Sequence, residues 1–376
     1  MKIMLLVSSM HAGGAERVAA TLASAWAVRG DSVTLVPTFT GRGTCFYPLA
    51  SEVELCWLAD IGPAGGAAPS GLRKLRVLRR LVRQRRPDVI VSFLTNVNVM
   101  ALLSTIGLRV PIIVCERTNP AASDNVGRLL GWLRRVTYPW ANMVTVQAQD
   151  SVQALREKVA RMRALGVVAN PLPPELPDMA LAARVRDVRG RRRLAAMGRF
   201  VPAKRFDWLI RAFAQLAGEF PDWDLVIWGD GPMREALTNQ IRDVGLSDRV
   251  FLPGRTPEPW RELSRVHAFA LVSSVEGFPN ALLEAMALGL PCIAADCPSG
   301  PREISQDGED ALLFPVSDPD ALVAGLRQLL GDESLRDRLA RGAALSVRQR
   351  YGLPAVLAAW DDLMARAGVA VPGAGS

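Results

Sequence analysis

Histidine, lysine and cysteine are all scarce in this chain. The two histidines, His11 and His267, are too few and too far apart to defend a Ser/His/Asp or Cys/His arrangement. Five scattered cysteines (Cys45, Cys56, Cys115, Cys292 and Cys297) show no metal-ligand spacing and no even framework. That argues against a zinc site and a disulfide scaffold, and predicts reduced thiols in a cytosolic protein. No apolar run approaches the roughly 18 residues that would span a bilayer. The first residues carry one lysine and five apolar residues, Ile3–Val7, before the serines, which is too little for a signal peptide. Acidic charge is absent from one long stretch: residues 72–86 hold eight basic residues and no acid, enough to account for the whole net charge of +8. The remainder is close to neutral, which argues against a general nucleic-acid binder wrapped in positive charge.

What is present is an alternation of apolar runs and amphipathic stretches. A chain of 376 residues predicts two domains. In the first half, runs at 3–8, 32–37, 89–93, 111–115 and 143–147 read as strands of a parallel sheet covered on both faces, with helical segments between them. Residues 170–177 (NPLPPELP) contain four prolines and predict a stiff linker. The pattern then restarts, with strands at 193–198, 224–228, 250–252, 268–273 and 291–295 and helices at 206–219, 233–244 and 280–288. A Gly/Ala/Pro patch at 62–71 reads as loop. The expected class is α/β, with two Rossmann-like domains facing a cleft. The divisions are 1–169, a linker at 170–192, 193–350, and a C-terminal helix and tail at 351–376.

Several residues stand where strands give way to helices, the place where open α/β sheets bind ligands. Gly13-Gly14 follows the first strand and reads either as an anion-binding turn or as a plain tight turn. Without a third glycine it argues against NAD. Gly198-Arg199 with Lys204 combines a guanidinium fork with a point charge, suited to a diphosphate, or is a solvated surface pair. Glu276-Gly277-Phe278-Pro279-Asn280 runs into a helix that contains Glu284, placing two carboxylates eight residues apart. Eight residues of continuous helix would span about 12 Å, beyond the roughly 5–9.5 Å of a glycosidase pair. Two carboxylates reading hydroxyls at opposite ends of an elongated ligand fit better; the alternative is a solvated glutamate and a helix-surface glutamate. His267 lies in an apolar strand context and reads as structural, whereas His11 abuts the glycine loop and reads either as lining the cleft or as a surface histidine.

On a helical wheel the basic segment puts Arg73, Arg76, Arg79, Arg80, Arg83 and Arg86 within an arc of about 140°. Leu75, Val77, Leu78, Leu81 and Val82 lie opposite. Its apolar side either docks on the protein or meets lipid at its rim. The basic side suits an anionic membrane surface or a diphosphate-bearing lipid, or is the solvated face of an ordinary amphipathic helix. Residues 129–140 (LLGWLRRVTYPW) add aromatics compatible with an interfacial patch or with core packing.

Taken together, GGAER at 13–17, Gly198-Arg199 with Lys204, GDGP at 229–232 and Glu276 with Glu284 resemble the retaining family 4 glycosyltransferases of the GT-B fold. The resemblance covers nearly the whole chain. VSFLTNVN (91–98), CERTNP (115–120), RRVTYPWA (134–141) and SGPREI (299–304) further resemble bacterial enzymes that extend polyprenyl-diphosphate-linked oligosaccharides. The α-1,4-N-acetylgalactosaminyltransferases of bacterial N-glycan assembly, and related O-antigen or exopolysaccharide enzymes, are the nearest group.

The resemblance implies that Arg199 and Lys204 hold the donor diphosphate, Glu284 binds the ribose and Glu276 contacts the donor sugar. Gly277, Phe278 and Pro279 would present backbone around sugar and phosphate, Gly14 would close on the phosphate, and Gly254-Arg255 would read the base. Arg17, Arg73, Arg76, Arg79, Arg80, Arg83 and Arg117 would serve the acceptor and its lipid diphosphate. Arg117 stands where the family commonly has histidine. The implied partners are a UDP-sugar, most simply UDP-N-acetylgalactosamine, an undecaprenyl-diphosphate-linked oligosaccharide and the anionic inner-membrane surface, with no nucleic acid. The protein would sit peripherally on the cytoplasmic face of that membrane, and no cofactor or metal is expected. UDP-galactose, UDP-glucose or UDP-N-acetylglucosamine transfer, a GT-B epimerase acting on UDP-N-acetylglucosamine, and a non-catalytic binding protein are the competing readings.

Overall fold

A computed structural model describes residues 1–39, 43, 45–61, 71–119, 127–177 and 190–370. The Gly/Ala/Pro patch lies outside these residues except for Gly71, as do Pro120, the 178–189 part of the expected linker and the 371–376 tail. The chain divides into two compact units, Met1–Pro173 with Leu353–Ser376, and Pro174–Gly352. Among the described residues no helix is long and apolar enough to cross a membrane.

Seven parallel strands form the sheet of the first unit: β1 (Lys2–Val7), β2 (Ser32–Pro37), β3 (Glu54–Leu55), β4 (Val89–Phe93), β5 (Ile112–Cys115), β6 (Met143–Val146) and β7 (Leu165–Val167). Their order is β3-β2-β1-β4-β5-β6-β7, so the winding reverses between β1 and β4. Alternate residues of a strand face opposite sides, and here both sides are buried. Ile3, Leu5 and Val7 join one core cluster and Met4 and Leu6 another. That is why these strands read as unbroken apolar runs. The first cluster is closed by α1 (Gly14–Val28) and by the last helix of the chain, Leu353–Arg366, through Trp26, Trp360 and Leu363. The second is closed by α2 (Gly71–Arg85), α3 (Thr95–Ser104), the turn around Tyr138 that follows α4 (Arg128–Thr137), and α5 (Ser151–Lys158).

For α2 the structure decides between the two sequence readings of its apolar side. Leu78, Leu81 and Val82 are buried in the protein core, with Leu75 and Val77 partly buried beside them. Arg76, Arg80 and Arg83 are exposed, but Arg79 is engaged: its Nη1 donates to the Ser104 and Ile106 carbonyls at 3.0 and 2.7 Å. The basic arc is therefore interrupted by one arginine that caps the end of α3.

The second unit has six parallel strands, β8 (Arg192–Met197), β9 (Trp223–Trp228), β10 (Val250–Gly254), β11 (Ala268–Leu271), β12 (Cys292–Asp296) and β13 (Leu312–Pro315), ordered β10-β9-β8-β11-β12-β13. Winding reverses here between β8 and β11. The helices are α6 (Phe206–Leu216), α7 (Arg234–Asp243), α8 (Pro259–Leu263), α9 (Asn280–Ala287), α10 (Pro301–Ile304), α11 (Pro319–Gly331) and α12 (Glu333–Tyr351), and α13 is the Leu353–Arg366 helix already placed in the first unit. Short β3, β7 and β13 were not expected from the sequence, because two to four residues carry too little period-2 signal to separate them from loop.

Candidate functional site

In the second unit the reversal between β8 and β11 sets two strand ends side by side, where a doubly wound sheet leaves a crevice. After β8 the chain passes through Gly198-Arg199 into a short 3-10 turn, Pro202–Lys204, and then into α6. Beyond β11 it passes through Ser273 and Ser274 to Glu276 and α9. The two loops are clipped together at Ser274, whose N–H and hydroxyl both donate to the Ala203 carbonyl, at 2.8 and 3.2 Å. This contact brings Lys204 to Glu276: Nζ lies 2.5 Å from Oε1, with both side chains largely screened from solvent. Folding its stem over Gly198, Lys204 leaves a side chain there only 3.4 Å of room. Arg199 is exposed on the same loop.

Glu284 lies inside α9, buried at 3% exposure, and its Oε2 accepts a 2.8 Å hydrogen bond from the indole Nε1 of Trp260. The two carboxylates thus answer to different partners, Glu276 to an ammonium and Glu284 to an indole N–H. Sequence reasoning missed Trp260. The available signal was Pro259-Trp260 just beyond Gly254-Arg255, where proline opens the short helix α8 and aims the next side chain. Arg255 is exposed, and Phe278 and Pro279 are buried at the start of α9. Phe278 sets its ring against Tyr351 at 5.9 Å, which fixes the Gly277–Pro279 turn.

GDGP at 229–232 is a close backbone approach. A Cβ on Gly229 would stand 1.8 Å from the Gly198 carbonyl oxygen, and one on Gly231 would stand 2.6 Å from that of Phe200. Arg234 holds the loop to β10, donating to Asp230, Gly229 and Leu252. Its guanidinium and the Gly231 N–H keep the Asp230 carboxyl below the usual range. The motif serves here to seat the Gly198 loop.

The reversal in the first unit falls between β1 and β4. Gly13 donates its N–H to the Tyr47 hydroxyl at 3.2 Å, and the Glu16 carboxylate folds back to where a Gly13 side chain would be. Gly14 opens α1 and is exposed, and Arg17 is half-buried one turn on. Beyond β4 and β5 lies a buried polar network that the sequence did not disclose. Glu116 accepts from the Thr95 hydroxyl at 2.9 Å and the Tyr138 hydroxyl at 2.5 Å, with Arg134 at 3.8 Å. Asn98 accepts from Ser92 and donates to Tyr138 and to the Cys115 carbonyl. Burial drives the Tyr138 hydroxyl well above its ordinary pKa. The segments VSFLTNVN, CERTNP and RRVTYPWA supply the side chains of this one network, from β4 and α3, from the end of β5, and from α4 with the turn after it.

Arg117 points elsewhere. Its guanidinium stacks 3.6 Å from the Phe93 ring centre, Nη1 donates to Asn170 at 2.6 Å, and burial lowers its pKa to about 10. Arg73 is half-buried on α2. His267 is structural, its Nδ1 accepting from the Arg193 N–H, and His11 is exposed. Among the described residues no three His, Cys, Asp or Glu side chains converge as a metal site.

Two family models match the chain: a glycosyl transferase 4-like domain over residues 13–171, and glycosyl transferases group 1 over residues 184–345. Among similar proteins is the Campylobacter jejuni alpha-1,4-N-acetyl-D-galactosaminyltransferase named for GalNAc-alpha-(1->4)-GalNAc-alpha-(1->3)-diNAcBac-PP-undecaprenol, 27% identical over 91% of this chain and 92% of its own. The amylovoran biosynthesis glycosyltransferase AmsD of Erwinia amylovora is 28% identical over 96% and 99%. Of solved structures, Anabaena HepE in complex with UDP and glucose superposes with a TM-score of 0.80 at 18% identity, covering 97% of this chain and 99% of that one. Thermosynechococcus elongatus sucrose-phosphate synthase gives 0.82 at 17% identity, covering 97% and 99%.

Proposed function

The chain belongs to the glycosyltransferases, with a glycosyl transferase 4-like domain followed by a group 1 domain on the GT-B fold, and from that premise we propose that it is a retaining enzyme of bacterial polysaccharide assembly. In this reading it moves N-acetylgalactosamine from its UDP derivative to a saccharide carried on undecaprenyl diphosphate. The observation that carries it is the Lys204–Glu276 pair at the β8/β11 reversal, with Glu284 one turn into α9 and bonded to Trp260. The N-acetylgalactosaminyltransferase from Campylobacter jejuni supports the donor and the acceptor class.

Chemically, Arg199 and Lys204 receive the donor diphosphate and offset the charge that grows as the sugar–phosphate bond breaks. Glu276 orients the sugar and Glu284 the ribose. The acceptor oxygen bonds to the anomeric carbon on the face the diphosphate leaves, and the acceptor proton passes to a departing phosphate oxygen. Arginine and lysine thereby take the place that a metal fills in other transferases. Gly277–Pro279 contribute backbone groups and Gly254-Arg255 reads the base. The exposed Arg76, Arg80 and Arg83 of α2 suit the anionic surface on which a lipid-linked acceptor resides.

The test is transfer from a panel of UDP-sugars to a defined undecaprenyl-diphosphate oligosaccharide, with products read by mass. A gain of one or more N-acetylhexosamines is expected, and Glu276→Ala should cut turnover by roughly two orders of magnitude or more while UDP still binds. Uridine diphosphate binding without transfer from any donor would overturn the reading.

A further inference from the structure

At the other end of the first sheet, where strands begin, lies an open groove of about 440 Å³. Its walls come from the end of α3 and the starts of β5, β6 and β7, so it is built on the amino ends of the strands, away from the loops discussed above. Leu102, Leu108 and Ile106 supply apolar wall, and Trp140 stands at the rim. Ile106 and Trp140 are 54% and 42% exposed, unusual for side chains of that size beside a cavity. The charged lining residues are Arg109 and Arg163, both exposed, with no acid among the lining. Among the described residues neither guanidinium has an ion-pair or hydrogen-bond partner.

A cavity lined by apolar side chains, with Thr105 and Asn142 among them and two unopposed guanidinium groups, matches a ligand that carries both an anion and a hydrocarbon chain. Arginine offers phosphate a planar fork, and tryptophan favours the boundary between headgroup and acyl region. Surroundings point the same way. Arg79 bonds the Ile106 carbonyl and so ties the groove wall to the basic face of α2. Trp140 follows α4, whose Leu129, Trp132 and Val136 recur at helical spacing and are exposed at 70%, 58% and 38%. We propose that this groove is a lipid site: it takes the headgroup phosphate of an anionic phospholipid between Arg109 and Arg163 and the start of one acyl chain along Ile106, Leu108 and Trp140. The site rests on the reading of an enzyme working at a membrane surface, and its lining residues include none of those assigned to the donor and none of the exposed arginines of α2.

The test uses the full chain with vesicles of phosphatidylcholine alone or mixed with phosphatidylglycerol, the acyl chains brominated to quench tryptophan on contact. Wild type should bind the phosphatidylglycerol vesicles with quenching, and Trp140→Phe should stay bound while losing a share of that quenching. Arg109→Gln with Arg163→Gln should weaken binding roughly thirtyfold, the worth of two arginines near a charged surface, and lose the same share of quenching. Arg76→Gln, Arg80→Gln and Arg83→Gln together should weaken binding yet keep the Trp140 share in whatever remains bound. Weakened binding of the Arg109/Arg163 variant with undiminished Trp140 quenching would overturn the site and leave only diffuse charge. Equal binding to both vesicle types would overturn it also. Sugar transfer to the lipid-linked acceptor without vesicle binding would sink this site while leaving the transferase standing. All substituted positions are at least partly exposed, and unchanged thermal unfolding shows that the variants fold.

Discussion

Trp260 and Glu284 form a contact whose loss is measurable. The carboxylate is buried, so its indole donor does more than a surface hydrogen bond would: bonds to charged groups contribute about 1.5–3 kcal/mol. Trp260→Phe keeps the ring and removes the donor. If Glu284 binds the donor ribose as proposed, the expected result is a rise of about tenfold or more in KM for the nucleotide-sugar, with kcat much less affected, because such a contact is made in both ground and transition states. Steady-state kinetics with varied donor would check this, and an unchanged KM with reduced kcat would mean that Glu284 acts in the chemical step. Glu284 itself was legible in the sequence as one of two spaced carboxylates. Its partner was not, because nothing in PEPW announces that the indole turns towards a helix beginning twenty residues later.

At the scale of single elements, α2 separates two kinds of arginine that look alike on a helical wheel. Arg76, Arg80 and Arg83 are exposed, whereas Arg79 serves the end of α3. Replacing the exposed three by glutamine should lower affinity for anionic vesicles by about two orders of magnitude at low salt, each arginine near the surface being worth about 1 kcal/mol. The difference should shrink as salt is raised, since exposed charges are screened. Stability should stay nearly unchanged, as exposed substitutions cost within about 0.5 kcal/mol. Arg79→Gln should do the reverse, costing about 1 kcal/mol of stability with a smaller effect on vesicle binding. Co-sedimentation with vesicles at two ionic strengths and a thermal melt decide between them.

Across the whole molecule, the first unit is completed by the last helix. Trp360 meets Trp26 edge to face at 5.5 Å, and Val356, Leu363 and Met364 fill the same cluster. Each such side chain contributes about 1.5–3 kcal/mol by burial, so losing four approaches the 5–15 kcal/mol that holds a typical domain folded. A chain ending at Gly352 should lose near-UV circular dichroism and bind a hydrophobic dye, and retention of the full-length unfolding midpoint would refute this account.

Strand-length apolar runs such as 32–37 and 89–93 and the glycines at the first turns of each half were readable from the sequence alone. Each depends on residues near one another in the chain, and buried parallel strands leave an unbroken apolar run whatever lies around them. Tertiary structure decided the rest. Lys204 and Glu276 are 72 residues apart and meet because β8 and β11 are neighbours and Ser274 clips their loops. Ser92, Thr95, Asn98, Glu116, Arg134 and Tyr138 become one buried network only once β4 and β5 are paired and the turn after α4 packs beside them. Sheet order brings such groups together, and sheet order is fixed by burial summed over the whole fold, which no local pattern records.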